Sequence, residues 1–189
     1  MSDLVKSALP GARAEGLVTV EEMGLQGMVT LRADLSAEAA AIAQVTGAEM
    51  PGPRGISAGQ GCQVAWMSPD ELLILCDHAH ADAMVAHLTA ALEGQHHLAV
   101  NVSDARALFR VAGEAGALRD TLAKITPADM SAAALPPGEM RRTRLQQVAG
   151  AIWFEGETEA RVICFRSVAQ YTFDLLAVSA AQGGAVGYH

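Results

Sequence analysis

Two stretches of the chain follow one plan, and that repetition constrains the fold more than any other feature. An apolar run carrying Trp66 leads into Ser68-Pro69-Asp70-Glu71, and a second apolar run ends at Cys76, just before a helical pattern. Further on, a run carrying Trp153 leads into Glu155-Gly156-Glu157-Thr158, and the next run ends near Cys164, again before a helical pattern. The spacing is 10 residues from Trp66 to Cys76 and 11 from Trp153 to Cys164. Each copy reads as a hairpin followed by a helix, because its apolar periodicity switches from about two residues to about 3.6. Two such hairpin–helix units suggest two similar α+β lobes, or two halves of one, with their other parts drawn from the rest of the chain. The expected class is α+β, with two hairpin–helix lobes and mainly antiparallel sheets.

The remaining segments supply those parts. Residues 27–32 alternate like a strand, and an Ala-rich helix is expected over 37–46, with Ser36 as N-cap and Gly47 just past its end. Residues 48–61, rich in Gly and Pro, read as a loop. Pro69 and Asp70 suit the centre of a four-residue type I turn. A helix over 80–93 places Met84, Val85, Leu88 and Leu92 at helical spacing. Two strands are expected around Ser103-Asp104, and a helix over 114–124 carries Leu118, Leu122 and Ile125 on one face. Thr126-Pro127 reads as another helix start, with Pro at the first helical position. The segment LPPGEMRRTR reads as a loop leading to the second hairpin, and Ser167 to Gln170 fits a capping box for a helix over 168–178. The boundaries expected are one compact domain over 1–189, sub-lobes 17–97 and 98–180, and mobile termini 1–16 and 181–189.

Composition narrows the function classes. Hydrophobic residues make up 51% of 189, enough for a core, yet no apolar run approaches the ~20 residues of a membrane span. The stretch MSDLVKSALPGARAEG lacks a charged start followed by an apolar block, so no secretion signal and a soluble, cytoplasmic protein are expected. Cys62, Cys76 and Cys164 lie in apolar runs without CxxC spacing and read as buried thiols in a reducing compartment. Net charge is −8, with no long Lys/Arg run, which argues against nucleic acid. Only Lys6 and Lys124 of the 13 basic residues are Lys; Arg favours planar, paired contacts and hints at a partner.

Candidate chemistry is sparse. Cys76, Asp77, His78 and His80 are four metal-capable side chains within five residues, but strand alternation turns Cys76 to the core, and Asp77 belongs at a helix start. His96-His97 read as a surface loop, and Ser103 and Ser167 as local hydrogen-bonding residues. No GxSxG, GxGxxG or GxxxxGK[ST] pattern occurs. Arg141-Arg142-Thr143-Arg144 reads equally as a clasp for a carboxylate on a partner or ligand, or as a solvated lead-in to a strand.

Five short motifs, taken in order, resemble a known family. Trp66-Met67-Ser68-Pro69-Asp70-Glu71-Leu72-Leu73-Ile74 resembles the W-L-G-P-D-E-W-L-L signature of the gamma subunit of heterotetrameric sarcosine oxidase. Val100 to Arg106 resembles its V-D-V-S-D segment, and Leu122 to Asp129 its L-x-K-x-x-P-L-D. Arg142-Thr143-Arg144-Leu145 is similar to R-T-x-L, and Arg166 to Tyr171 to R-S-x-x-x-Y. Departures are Met67-Ser68 for Leu-Gly, Leu72 for the second Trp, Asn101 for Asp and Ala128 for Leu. The resemblance implies a non-catalytic subunit with a structural, assembly role in the oxidative demethylation of sarcosine to glycine. It implies alpha, beta and delta subunits as partners, with flavins, NAD, folate and zinc in those partners and none in this chain.

That family is distantly similar to the folate-binding domain of glycine-cleavage aminomethyltransferases, which implies the same sheet-and-helix fold. Those enzymes carry an Asp pair in the second hairpin; here 149–154 holds no carboxylate before Glu155. The alternative is a stand-alone folate-binding module with a pterin pocket near Trp66 or Trp153. No catalytic, cofactor or metal residue is expected. The residues singled out for a partner or pterin contact are Trp66, Arg142, Arg144, Trp153 and Arg166.

Overall fold

In the computed structural model, which describes residues 5–189, the chain forms eleven strands and four α-helices. β1 (Arg13–Glu15) and β2 (Val18–Glu22) come first; β3 (Gly27–Arg32) then leads through α1 (Ala39–Thr46) to β4 (Ile56–Ala58). β5 (Cys62–Ser68) and β6 (Glu71–Cys76) form a hairpin, a 3-10 turn (His78–His80) feeds α2 (Ala81–Ala91), and β7 (Leu98–Asn101) follows. After a second 3-10 turn, β8 (Arg106–Gly113) leads through α3 (Ala115–Ala123) to β9 (Met140–Leu145). β10 (Val148–Gly156), β11 (Glu159–Phe165), a third 3-10 turn (Arg166–Val168) and α4 (Ala169–Ser179) complete the chain.

These elements divide into two compact units. One is Gln26–Asp104; the other joins the segment up to Leu25 with Ala105–His189. The unit of Gln26–Asp104 has a five-stranded antiparallel sheet in the order β4-β5-β6-β3-β7. Alternate residues on one face of this sheet (Val29, Leu31, Val64, Leu72 and Ile74) pack with Ile42, Leu88 and Leu92 from the helical segments. The other unit has a six-stranded antiparallel sheet in the order β1-β2-β8-β11-β10-β9. Its core sets Val20, Phe109, Val111, Ile152, Phe154 and Val162 against Leu118, Leu122 and Leu176. The α+β class with two mainly antiparallel sheets is therefore the observed one.

The units share one topology. In each, a first strand (β3 or β8) leads to a helix (α1 or α3). A short strand (β4 or β9) and a hairpin follow, then a 3-10 turn and a second helix (α2 or α4). In each sheet the hairpin's second strand pairs with the first strand. A closing strand then pairs antiparallel on the first strand's other side, β7 on β3 and β2 on β8. The difference is where the closing strand comes from. β7 follows its own helix, whereas β2 comes from the N-terminal segment and reaches β8 through Val18↔Gly113 to Glu22↔Phe109. This is why the units do not divide at 17–97 and 98–180.

Local differences from the expected elements have identifiable causes. The first helix begins at Ala39 with no side-chain cap at Glu38; ahead of it the Asp34 carboxylate, not Ser36, accepts from the N–H groups of Ser36 and Ala37. Gly47 ends that helix in the left-handed conformation, φ 65°, donating to Ala43 O, as expected. The first hairpin turns on two residues, Pro69 and Asp70, because a bulge between Trp66 and Ser68 lets Ser68 pair with Glu71. No helix starts at Thr126-Pro127: the Thr126 hydroxyl accepts from Ala128 and pairs with Thr143, and the segment stays irregular. Arg141 to Arg144 form part of edge strand β9 rather than a loop.

Ser167 caps nothing; Val168 stands at the N-cap, and the Gln170 amide turns forward to Asp174 at 2.8 Å. Within the segment 1–16 expected to be mobile, residues 13–15 form β1 and residues 1–4 lie outside the described residues. The segment 181–189 has no regular structure, yet the N–H groups of Gly187, Tyr188 and His189 all donate to the buried Asp120 carboxylate.

Candidate functional site

The residues singled out from the sequence serve different elements. Trp66 is half-buried on β5, opposite Leu72, and packs against the core of its unit. Trp153 is only 2% exposed, on the face of its sheet opposite Ile152 and Phe154. Its indole N–H donates to Glu155 Oε1 at 2.9 Å. Trp153 is therefore a buried residue of β10. Arg166 is turned onto its own chain, donating to the carbonyls of Lys6 and Ser7 at 2.7 and 3.1 Å.

Arg142 and Arg144 are brought together. They are exposed alternate residues on one side of edge strand β9. Arg144 donates to Gln147 Oε1 at 3.2 Å and lines a groove of about 390 Å3 with Lys124, Thr126, Pro127 and Gln146. Lys124 is already committed, its ammonium donating to Ser179 O at 2.9 Å. The neighbouring Arg141 donates to Ala134 O at 3.0 Å.

The Cys–His cluster disperses as its alternation requires. Cys76 faces inward and pairs across the hairpin with Cys62; both are buried, and burial pushes both thiols up from 9.0. Asp77 accepts from the Ala79 N–H at 2.9 Å at the start of the 3-10 turn. His80 and His87 are exposed, and His97 Nδ1 lies 3.0 Å from Gln95 O. Among the described residues no three His, Cys, Asp or Glu side chains gather in a way that could hold a metal ion.

Sequence reasoning missed the adjacent buried pair Arg119 and Asp120 on α3. Arg119 donates to Met130 O at 2.6 Å and Leu135 O at 3.3 Å, with its guanidinium 4.1 Å over the Phe154 ring. It holds the irregular segment between α3 and β9. The available signal was two charges set between Leu118 and Leu122 in a helix whose apolar face is otherwise continuous.

These features define a class: a duplicated α+β scaffold whose exceptional charged groups fasten its own backbone. The comparisons with known proteins carry the identification further. Residues 32–182 match the sarcosine oxidase, gamma subunit family. The chain is 30% identical over 157 residues to sarcosine oxidase subunit gamma from Arthrobacter sp, covering 82% of this chain and 75% of that one. Its fold is similar to a chain of the heterotetrameric sarcosine oxidase from Corynebacterium sp. U-96, with TM-score 0.80 and 25% identity over 94% of this chain and 91% of that one. It is also similar to glycine cleavage system aminomethyltransferase T from Bartonella henselae, with TM-score 0.62 and 12% identity, over 89% of this chain and 48% of that enzyme. That last likeness shows the fold alone. The chain belongs to the sarcosine oxidase, gamma subunit family.

No helix among the described residues is long and apolar enough to cross a membrane.

Proposed function

We propose that this chain is the non-catalytic gamma-type subunit of a heterotetrameric sarcosine oxidase and serves assembly in the oxidative demethylation of sarcosine to glycine. The observation that carries this reading is the likeness, over nearly the whole of both chains, to a chain of a heterotetrameric sarcosine oxidase. Alpha, beta and delta subunits are its partners, the flavins, NAD, folate and zinc reside in them, and the complex is cytoplasmic. The internal roles of Arg119, Arg166 and Trp153 support a scaffold. The first carboxylate of the second hairpin's sequence, Glu155, accepts the Trp153 indole N–H and lies 3.9 Å from Arg161. That arrangement does not fit a carboxylate reserved for a folate amine.

Co-expression with candidate alpha, beta and delta subunits tests the reading. This chain should co-purify in a yellow complex; no association at low salt would overturn it. The alternative is a stand-alone folate-binding module, which the aminomethyltransferase-like fold permits without itself supporting. Half-buried Trp66 would report it: saturable fluorescence quenching by a reduced folate analogue at micromolar levels would replace the purely structural reading.

A further inference from the structure

The duplicated topology contains one asymmetry. β2 and β7 hold equivalent places in their own sheets, but β2 is paired on its far side by β1, through Arg13↔Glu21, Ala14↔Val20 and Glu15↔Thr19. β7 ends its sheet. Register shows what its open side presents. The Val102 N–H donates to Met28 O at 2.8 Å, so alternation makes Thr30↔Val100 and Arg32↔Leu98 the hydrogen-bonded pairs. The main-chain N–H and C=O groups of Ala99 and Asn101 therefore point away from β3.

The side chains divide by face. Ala99 packs toward the core, and the Asn101 amide donates to Asp82 on α2 at 2.7 Å. Leu98 and Val100, on the opposite face, are 53% and 39% exposed. Edges of this kind are normally protected by a charge, a proline or a bulge, and Leu98-Ala99-Val100-Asn101 has none of them.

We propose that β7 is a docking edge that accepts an extended, basic segment of a partner polypeptide as an added strand, in the place β1 fills on the other sheet. Main-chain hydrogen bonds to Ala99 and Asn101 would hold it, and alternate apolar side chains would cover Leu98 and Val100. The basic character follows from charge. Gln26–Asp104 carries nine Asp or Glu against Arg32 and Arg54, a net −7. At the start of β7, Leu98 lines a groove of about 750 Å3 with Asp34 and Asp70, where Arg32 is already paired to Asp70 and Glu71 at 2.8 Å each. A second copy of this chain would bring two −7 units edge to edge, which electrostatics opposes. The inference deepens the assembly reading and rests on it only for which polypeptide supplies the strand.

The edge is tested on the full chain with a labelled peptide, Lys-Val-Lys-Val-Lys-Val-Lys, by fluorescence anisotropy. It should bind at least about tenfold tighter than the Glu-Val counterpart at low salt, and weaken as salt is added. Ala99→Pro removes an outward N–H that β3 does not use, so it should lower binding about tenfold with an unchanged circular dichroism spectrum. If Ala99→Pro does not fold, Leu98→Thr combined with Val100→Thr, which keeps strand propensity and charge, should lower binding instead. Val178→Ser, which removes an exposed apolar side chain elsewhere, should leave it unchanged. Equal binding of the two peptides, full binding by the folded edge variant, or self-association abolished by that variant would overturn the proposal. In the co-expressed complex, loss of assembly on Ala99→Pro supports it and intact assembly overturns it. Should the wild-type chain fail to assemble, the subunit reading falls while the peptide result still decides the edge.

Discussion

The hairpin of β5 and β6 and the hairpin of β10 and β11 turn into their helices by the same path but fasten the corner differently. Each is bulged just before its turn, between Trp66 and Ser68 or between Phe154 and Gly156. Each passes through a three-residue 3-10 turn into an 11-residue helix. In the first copy the corner is capped by the Asp77 carboxylate. In the second, Phe165 stands in the equivalent place with no side-chain cap; it stacks under Arg106 at 4.5 Å, and Arg166 clamps the N-terminal segment. The path is therefore set by backbone pairing and apolar alternation, and the polar fastenings are interchangeable.

The two tryptophans give the largest test of that conclusion. Trp153 is buried and Trp66 half-buried, so Trp153→Ala should cost about 3–5 kcal/mol and Trp66→Ala about half as much, from urea denaturation. Equal costs would mean the copies are packed alike, against the observed burial. Next in size is the segment joining the first helix to the sheet, which only the second copy ties down with a buried Arg. Arg119→Leu would leave the carbonyls of Met130 and Leu135 without their donor and should cost about 2–4 kcal/mol. Faster hydrogen exchange confined to 126–139 would accompany it. Smaller still is the corner itself: Asp77→Ala should cost about 1 kcal/mol, whereas Ser167→Ala, which removes no cap, should stay within about 0.5 kcal/mol. Equal losses at Asp77 and Ser167 would show that the second corner has a cap after all.

How much of this was legible in the sequence depended on whether a residue's role is local. The hairpin–helix repeat was legible because period-two alternation and the turn residues are local, and the inward turn of Cys76 followed from the same alternation. Strand β9 was not: its inner positions, Arg141 to Arg144, are exposed or half-buried, so an edge strand reads like a polar lead-in. The closing role of β2 was not legible either, because it depends on pairing with β8, about 90 residues away. Among the candidate contacts, Trp66 and Trp153 looked equivalent in sequence. Only the sheet's two faces separate them, and an isolated hairpin does not show which face is covered. Arg166 stands out in sequence only through its place in the R-S-x-x-x-Y resemblance, and its partners, the carbonyls of Lys6 and Ser7, carry no side-chain signature.

The weakest expected effect concerns the C-terminal tail, and it too separates the copies: α1 contains no acidic residue, whereas its counterpart α3 buries Asp120. Burial alone would raise the Asp120 carboxyl, but the N–H groups of Tyr188, Gly187 and His189 outweigh it and hold the group below its ordinary 3.8. A depressed carboxyl stabilises the form in which it is ionised. Its contribution is therefore present above 3.8 and is lost as pH falls through the lower, folded value. Tail amides 187–189 should be protected from hydrogen exchange near neutral pH and lose that protection only as pH falls below 3.8. Asp120→Asn should weaken protection at neutral pH and flatten its dependence on acid. Unchanged protection across that range in the wild-type chain would mean that the three N–H groups are held by something other than the Asp120 charge.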